Sequence, residues 1–330
     1  MTISTEKQFE LFCSLLTLMP TDQRMIEALL TDPYYAHPQR DNFISLLNRL
    51  PYFVREISDY PKHRYRFSPC IEALLMAIDQ CGLPTIYSLF EEICTSPYNT
   101  LFSPCRGYLV HLLTTFQLAL KSPLLNAKLL EYKREAQRNC DELEAYIDRI
   151  FSHYSNLLVM RVDLAYQKGL DVSLETLESD LKRFHSNRRH NALFNDMLGY
   201  VTKIEYGIDK KIHVHALFFF NGHKHREDIT IGWCIGEYWV NTIATWTANS
   251  QPTGIYWNCN RHKEQYAKLG IGDIHYTDVE KRQNLMEAVR YLCKKTTQMI
   301  KPHHAPMTKL LRRGQFKVLD TPKLGRPRNA

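Results

Sequence analysis

The chain has 330 residues, of which 44% are hydrophobic and 23% are charged, and its formal net charge is +7. This is the composition of an ordinary soluble protein, and the length corresponds to about two domains with ample apolar material for a core. The apolar stretch 11–19 is too short to span a bilayer and follows Glu6 and Glu10 rather than basic residues. We therefore expect a cytoplasmic protein without a signal peptide or a membrane partner.

The nine cysteines are scattered, odd in number and never spaced as Cys-x-x-Cys. This pattern indicates neither a disulfide framework nor a standard zinc knuckle, so reduced thiols are expected.

Residues 1–150 have a helical pattern, in which apolar residues recur at spacings of three and four. Proline-bearing breaks such as "SPYNTLFSPCRG" separate the helices. This half carries 15 Lys/Arg against 18 Asp/Glu and contains no motif with an evident chemistry. We predict a helical domain over residues 1–150.

Residues 151–330 are basic, with 27 Lys/Arg against 17 Asp/Glu, and they alternate between strand-like and helix-like patterns. Their order predicts an α+β fold over residues 151–300, with an antiparallel sheet of the ferredoxin-like or RNA-recognition-like type. The predicted elements are a strand at 156–166, a helix at 173–185 capped by Ser173, strands at 200–207 and 211–220, a helix near 229–246, short strands near 254–260 and 273–277, and a helix from about Val279 to Ile300.

The last segment, 301–330, holds eight Lys/Arg against one acidic residue, and four prolines favour an irregular tail. Two interpretations stay open for this tail. It is either a solvated surface segment or an arm that contacts the phosphates of nucleic acid.

Two histidines, His213 and His215, lie one residue apart in the apolar run "KKIHVHALFFFNG". Alternate residues of a strand share a face, so both imidazoles point the same way, as joint metal coordination requires. A second pair, His223 and His225, follows an Asn-Gly turn signal and is expected to be exposed. From this pair alone, His213 and His215 could be either core histidines or metal ligands, and both interpretations stay open.

The preceding strand supplies a third candidate ligand. If the loop between the strands comprises the three residues 208–210, Glu205 faces His213 on the same side of the sheet. Two imidazoles and one carboxylate suit a divalent ion that binds phosphate oxygens. A zinc site drawn from His213, His215, His223, Cys234 or Cys259 is an alternative, although its spacing matches no common pattern.

The C-terminal helix carries an apolar stripe, and beside that stripe lie Tyr291, Lys294 and Lys295. These three side chains are either ordinary exposed residues or part of a site for phosphate ester chemistry. In the second case the tyrosine is the nucleophile, because nearby lysines favour its phenolate form. Four tryptophans lie between 233 and 257. They are interpreted chiefly as packing of a helix on the sheet, with stacking on unpaired bases as the alternative.

Taken in order, "VMRVDLAY", "KIEYGIDKKIHVHALFF", "IGEYWVNTI", "GIGDIHYTD" and "AVRYLCKK" resemble the His-hydrophobic-His (HUH) endonuclease superfamily. Within it they are similar to the rolling-circle replication initiators of filamentous phages and their prophage relatives. The resemblance covers about residues 150–297. It departs from those initiators that carry a second tyrosine one helical turn after the first, since Lys295 occupies that position here.

The resemblance implies a metal-dependent endonuclease that nicks single-stranded or supercoiled DNA at a replication origin. His213, His215 and Glu205 would bind Mg²⁺ or Mn²⁺, Tyr291 would be the nucleophile, and Lys294 would assist it. Host helicase and polymerase are the expected partners, because no phosphate-binding loop motif occurs in the chain. The expected nucleic-acid contacts are Arg161, Lys295, Arg312, Arg313, Lys317 and Arg326. A non-catalytic DNA-binding regulator with a degenerate form of this fold is the alternative function.

Overall fold

The computed structural model describes residues 5–19, 22–31, 37–58, 60, 65–82, 106–207, 211–244, 252–293, 300–302 and 309–316. None of the helices in these ranges combines the length and apolar character needed to cross a membrane. The chain divides into two compact units. Unit 1 comprises residues 1–134, 206–209 and 295–306, and unit 2 comprises residues 135–205, 210–294 and 307–330.

Unit 1 is mainly helical, as the sequence predicts for the first half. A two-stranded antiparallel sheet accompanies the helices and pairs β1 (Tyr65–Phe67) with β7 (Ile300–Pro302). The helices are α1 (Thr5–Leu18), α2 (Gln23–Thr31), α3 (Arg40–Leu47), α4 (Leu50–Ser58), α5 (Pro69–Cys81), α6 (Arg106–Leu120) and the beginning of α7 (Pro123–His153).

The core of unit 1 is built on aromatic rings that stack between helices. Phe9 of α1 lies 4.0 Å from Phe53 of α4, and Phe12 lies 5.3 Å from Phe43 of α3, measured between ring centroids. The amide of Gln117, which is fully buried, donates to the carbonyl oxygens of Leu16 and Met19 at 2.7 Å each. These two bonds satisfy carbonyls at the end of α1 that have no partner within the helix.

Unit 2 is an α+β domain around one antiparallel sheet, which confirms the predicted fold class. In chain order it continues with β2 (Asn156–Tyr166), α8 (Leu174–Asn187), β3 (Met197–Gly207), β4 (Lys211–Asn221), α9 (Asp228–Tyr238), β5 (Gly254–Asn258), β6 (Gly272–His275), α10 (Val279–Cys293) and β8 (Leu311–Arg313). The strands lie in the order β5-β2-β4-β3-β8. The succession β2-α8-β3-β4-α9-β5 is the βαββαβ arrangement of ferredoxin-like folds.

Helices cover both faces of this sheet. On one face, called the α8 face here, α8 and α9 pack against β2 and β4, and Trp239 donates its indole N–H to the carbonyl of Ala165 at 3.0 Å. On the opposite face, called the α10 face, α10 and the second half of α7 share one hydrophobic core with β2, β3, β4 and β6. Ser173 caps α8 by accepting from the backbone N–H of Thr176 at 3.1 Å, as predicted.

Strand β2 pairs along its length with three other strands of this sheet. It pairs with β4 on one side and, on the other, with β5 near its end and β6 near its beginning. Directly opposed residues of antiparallel strands share a face. Asp163 therefore lies on the α10 face together with His215 of β4 and Trp257 of β5, its opposed partners.

Three features differ from the sequence prediction. The boundary between the units falls at 134/135 within α7, not at residue 150, because the apolar periodicity of this helix runs without a break from Pro123 to His153. Ile300 begins a short strand instead of ending the last helix. The segment predicted to be an irregular tail contains β8, whose residues 311–313 pair with residues 201–203 of β3.

Candidate metal centre

Three buried side chains meet where β3 and β4 lie side by side. His215 Nε2 is 3.3 Å from Glu205 Oε2, and His213 Nε2 is 3.9 Å from the same oxygen. One potential ligand atom from each residue lies within 4.8 Å of the others. The predicted grouping of Glu205 with the two histidines is therefore confirmed, and it agrees with strands that end at Gly207 and begin again at Lys211.

Both histidine rings are held so that Nε2 points toward Glu205. Nδ1 of His213 lies 3.0 Å from the carbonyl oxygen of Lys211, and Nδ1 of His215 lies 2.7 Å from Asp163 Oδ1. Each Nδ1 must carry hydrogen to donate to these acceptors, which leaves the lone pair of each neutral imidazole on Nε2. An acceptor behind each ring is the usual support of histidines that bind metals.

Asp163 is a member of this site that the sequence prediction missed. Its carboxylate also accepts from Arg161 Nε at 3.2 Å, so a buried cation and a histidine share it. Asp163 lies opposite His215 because β2 pairs with β4. These strands are far apart in the chain, so no short sequence pattern predicts this pairing. The available signal is weaker: Arg161 and Asp163 are charged residues at alternate positions of an apolar strand, which places both on one face.

The donor set fits a divalent cation. Two imidazole nitrogens and one carboxylate oxygen leave further coordination positions open, as in sites that bind substrate oxygens at a divalent ion. In the parts of the chain that the structure describes, Glu205, His213 and His215 form the one group of three such ligands. The alternative zinc set is not brought together. His223 lies 2.7 Å from the hydroxyl of Ser155, and Cys259 is buried in the core of the α10 face.

The charges of the cluster are set by its burial and its internal contacts. Burial and the neighbouring His215 lower the pKa of His213 to about 4. Burial alone would lower the pKa of His215, but the Asp163 carboxylate raises it above the ordinary value of 6.5. Burial opposes ionisation of Glu205, yet the hydrogen bond and charge of His215 bring the pKa of Glu205 below its usual value. Below its pKa, the His215 imidazolium therefore donates from Nδ1 to Asp163 and from Nε2 to Glu205.

Binding of Mn²⁺ at pH 6 should release about one proton. Glu205 is already ionised and His213 is already neutral at this pH, so only His215 must lose its proton. Affinity should rise about 10-fold per pH unit from about pH 5 to the pKa of His215, and then level off. Calorimetric titration in two buffers of different ionisation enthalpy measures the proton count. Release of two protons at pH 6 would contradict the assignment of a neutral His213.

Tyr291 lies on α10, the helix that packs on the same face of the sheet as the metal cluster. Leu285, Val289 and Leu292 anchor this helix in the core, while Tyr291 is 43% exposed. The buried Lys203 of β3 lies on the same face as Glu205, since the two residues are two positions apart in the strand. Lys203 is a second residue that the sequence prediction missed. Lys294 and Lys295 lie outside the described residues.

Two other tyrosines of unit 2, Tyr256 and Tyr266, have pKa values raised above the ordinary value of 10. Burial and a hydrogen bond to Glu237 raise the pKa of Tyr256 to about 12. Burial and the Cys259 thiol raise the pKa of Tyr266 further above its usual value. A raised pKa opposes formation of the phenolate that acts as nucleophile.

The arginines predicted to contact nucleic acid are engaged within unit 2. Arg161 has only 16% of its side chain exposed and pairs with Asp163. In β8, Arg312 pairs with Glu178 of α8, and Arg313 lies 5.2 Å above the ring of Tyr146. Lys317 and Arg326 lie outside the described residues. The contacts of Arg312 and Arg313 stabilise the edge of the sheet beside β3.

Comparison with known proteins identifies a family for this chain. No curated protein and no solved structure matches the chain. The match to a family begins at Pro123, the residue at which α7 begins, and includes the whole metal cluster and α10. A model of the YagK/YfjJ C-terminal domain matches residues 123–305, more than half of the chain, and the protein therefore belongs to the YagK/YfjJ C-terminal domain family.

Proposed function

We propose that the protein is a metal-dependent endonuclease and strand transferase that nicks single-stranded DNA during rolling-circle replication. Its nucleophile is Tyr291, its metal ligands are Glu205, His213 and His215, and its ion is Mg²⁺ or Mn²⁺. The proposal rests on the resemblance of these sequence segments to HUH initiators. The observation that carries it is the buried cluster in which two histidines turn Nε2 toward one carboxylate.

A bound divalent ion would supply Lewis-acid polarisation of the scissile phosphate. Glu205, His213 and His215 would hold it, and Asp163 would keep the His215 ring in place. Asp163 thus has a positioning role, because it acts through His215.

The chemical step is a transesterification. The Tyr291 oxygen attacks phosphorus, a Tyr–O–P bond forms, and the bond from phosphorus to the 3′ oxygen breaks. The phenolic proton passes to the departing oxygen, so the products are a 5′-phosphotyrosyl strand and a free 3′-hydroxyl. Attack by a 3′-hydroxyl reverses the step and reseals the strand, so no nucleotide energy source is needed. In this scheme unwinding and extension of the 3′ end are left to host helicase and polymerase.

The decisive test is incubation of the full chain with circular single-stranded DNA and Mn²⁺, followed by a denaturing gel. We expect a species in which protein remains joined to DNA and disappears after protease treatment. A parallel reaction with a chelator in place of Mn²⁺ should yield none. Binding of DNA with no covalent species under any divalent ion would instead support the non-catalytic regulator.

A further inference from the structure

A cleft of about 420 Å³ lies along β5, the strand at the outer edge of the sheet. Its walls come from α9, from β5 and from the 3₁₀ segment Cys259–Gln265 that follows β5. The residues that bear on its chemistry are Ile229, Trp233, Tyr256, Trp257, Arg261 and His262.

The cleft keeps two tryptophans in contact with solvent. Trp233 is 50% exposed and Trp257 is 45% exposed, whereas Trp239 is fully buried against the sheet. The predicted packing role is thus confirmed for Trp239 and does not describe the other two; Trp246 lies outside the described residues. The indole of Trp257 stacks on the ring of His262, with centroids 4.1 Å apart and planes 11° from parallel. Flat ring surfaces of this kind are what unpaired nucleobases stack on.

A buried polar network fixes the walls of the cleft. Asn258 donates to the carbonyl of Ile229 at 2.9 Å and accepts from the backbone N–H of Asn260 at 3.1 Å. Asn260, which is 1% exposed, donates to Asp228 at 2.7 Å and to the carbonyl of Val159 at 2.9 Å. These bonds join α9, β2, β5 and the 3₁₀ segment. The backbone segments that carry the rings are therefore fixed relative to one another before any ligand arrives.

The charge of the cleft is complementary to a phosphate backbone. Arg261 is exposed, and no acidic side chain among the described residues forms an ion pair with it. The neighbouring Lys263, by contrast, is paired with Asp228. An arginine beside an aromatic surface is the combination that binds single strands, since the cation contacts a phosphate while a ring stacks on a base.

One ring of the cleft, that of Trp257, lies on the same face of the sheet as Glu205, His213 and His215, whereas α9 forms the wall toward the α8 face. Trp257 of β5 lies opposite Asp163 of β2, and Asp163 lies opposite His215 of β4. Trp257 and His215 are therefore two strands apart, a separation of about 10 Å between their backbones. A single strand with a phosphate at the metal centre would pass the cleft.

We propose that this cleft binds an unpaired nucleobase of the substrate strand, stacked on Trp257 with its flanking phosphate on Arg261. That the bound strand is the substrate rests on the proposed function. The affinity of the cleft for unpaired bases does not depend on that function. A protein segment is the competing occupant, and the exposed cation beside stacked rings favours the nucleic acid.

The test measures binding of fluorescently labelled oligothymidylate by anisotropy, in a chelator so that no strand is cut. Trp257→Ala and Arg261→Ala should each weaken binding about 10-fold. Tyr52→Ala, which removes an aromatic ring that is 56% exposed on α4, should leave it unchanged. His262→Ala serves as a second cleft variant, should Trp257→Ala fold poorly.

Abasic substitution separates stacking from general electrostatic attraction. Moving one abasic nucleotide along the oligonucleotide should identify a position that costs the wild type about 10-fold but costs Trp257→Ala much less. Equal losses in both proteins at every position, or unchanged affinity in the cleft variants, would overturn the proposal. If only the nuclease proposal is wrong, oligonucleotide binding will still depend on Trp257, but no covalent protein–DNA product will form in Mn²⁺.

Discussion

Replacing Tyr291 with phenylalanine is expected to abolish covalent attachment of the protein to DNA. The substitution removes only the hydroxyl, so the packing of α10 through Leu285, Val289 and Leu292 is preserved. Binding of metal and of DNA should therefore stay within about 2-fold of the wild type, while the phosphotyrosyl species falls below detection. A denaturing gel of protein incubated with circular single-stranded DNA and Mn²⁺ measures the loss.

The matched control is Tyr276→Phe, which removes a hydroxyl from a half-buried ring packed against the core of the same face. This variant should form the adduct normally. Protease digestion of the wild-type complex, followed by mass mapping, should place the nucleotide on the peptide that contains Tyr291. A nucleotide on another peptide, or an adduct that persists in Tyr291→Phe, would refute the assignment.

Substitution of any one metal ligand should abolish nicking while DNA binding persists. His213→Ala, His215→Ala and Glu205→Ala each remove one of the three donors that the fold brings together. Loss of even an outer partner of a metal ligand costs about 10- to 100-fold in affinity or activity, so loss of a ligand should reduce nicking by at least about 100-fold. Asp163→Asn, which weakens the support of His215, should weaken Mn²⁺ binding by about 10- to 100-fold.

The second His-x-His pair offers the control for these variants. His223 is exposed and contacts Ser155, so His223→Ala should retain both Mn²⁺ binding and nicking. Calorimetry without DNA measures Mn²⁺ binding, and fluorescence anisotropy in the presence of a chelator measures DNA binding. Full nicking by Glu205→Ala would show that the carboxylate is not a ligand, even if both histidines are required.

Much of this site could be predicted because it depends on local geometry. Alternation along one strand places His213 and His215 together, and the three-residue connection to the preceding strand adds Glu205. The cap at Ser173 is equally local. Asp163 could not be found in this way, because its role depends on which strands become neighbours and in which register.

Two features of the fold were not predicted from the sequence, each for its own reason. Prolines and basic residues made 301–330 resemble an irregular tail, yet Leu311 and its neighbours complete the sheet beside β3. Deleting residues 301–330 would thus remove a strand of unit 2 together with any phosphate contacts. The boundary between the two units at 134/135 lies within α7. The apolar periodicity of this helix is continuous, so the sequence does not indicate where one compact unit ends and the other begins.

The pairing of β2 with three other strands has a consequence for how unit 2 folds. Asn156 and His275, which pair in the finished sheet, are about 120 residues apart in the chain. Closing such a long segment costs conformational entropy before any strand pairing offsets it, and a high contact order slows folding. Because β2 is among the first strands of unit 2 to be synthesised, its edge toward β4 is paired once the nearby β3–β4 hairpin forms, whereas its edge toward β5 and β6 stays unpaired for longer. The strand pair that brings Asp163 to His215 is thus expected to form before the edge that carries Trp257.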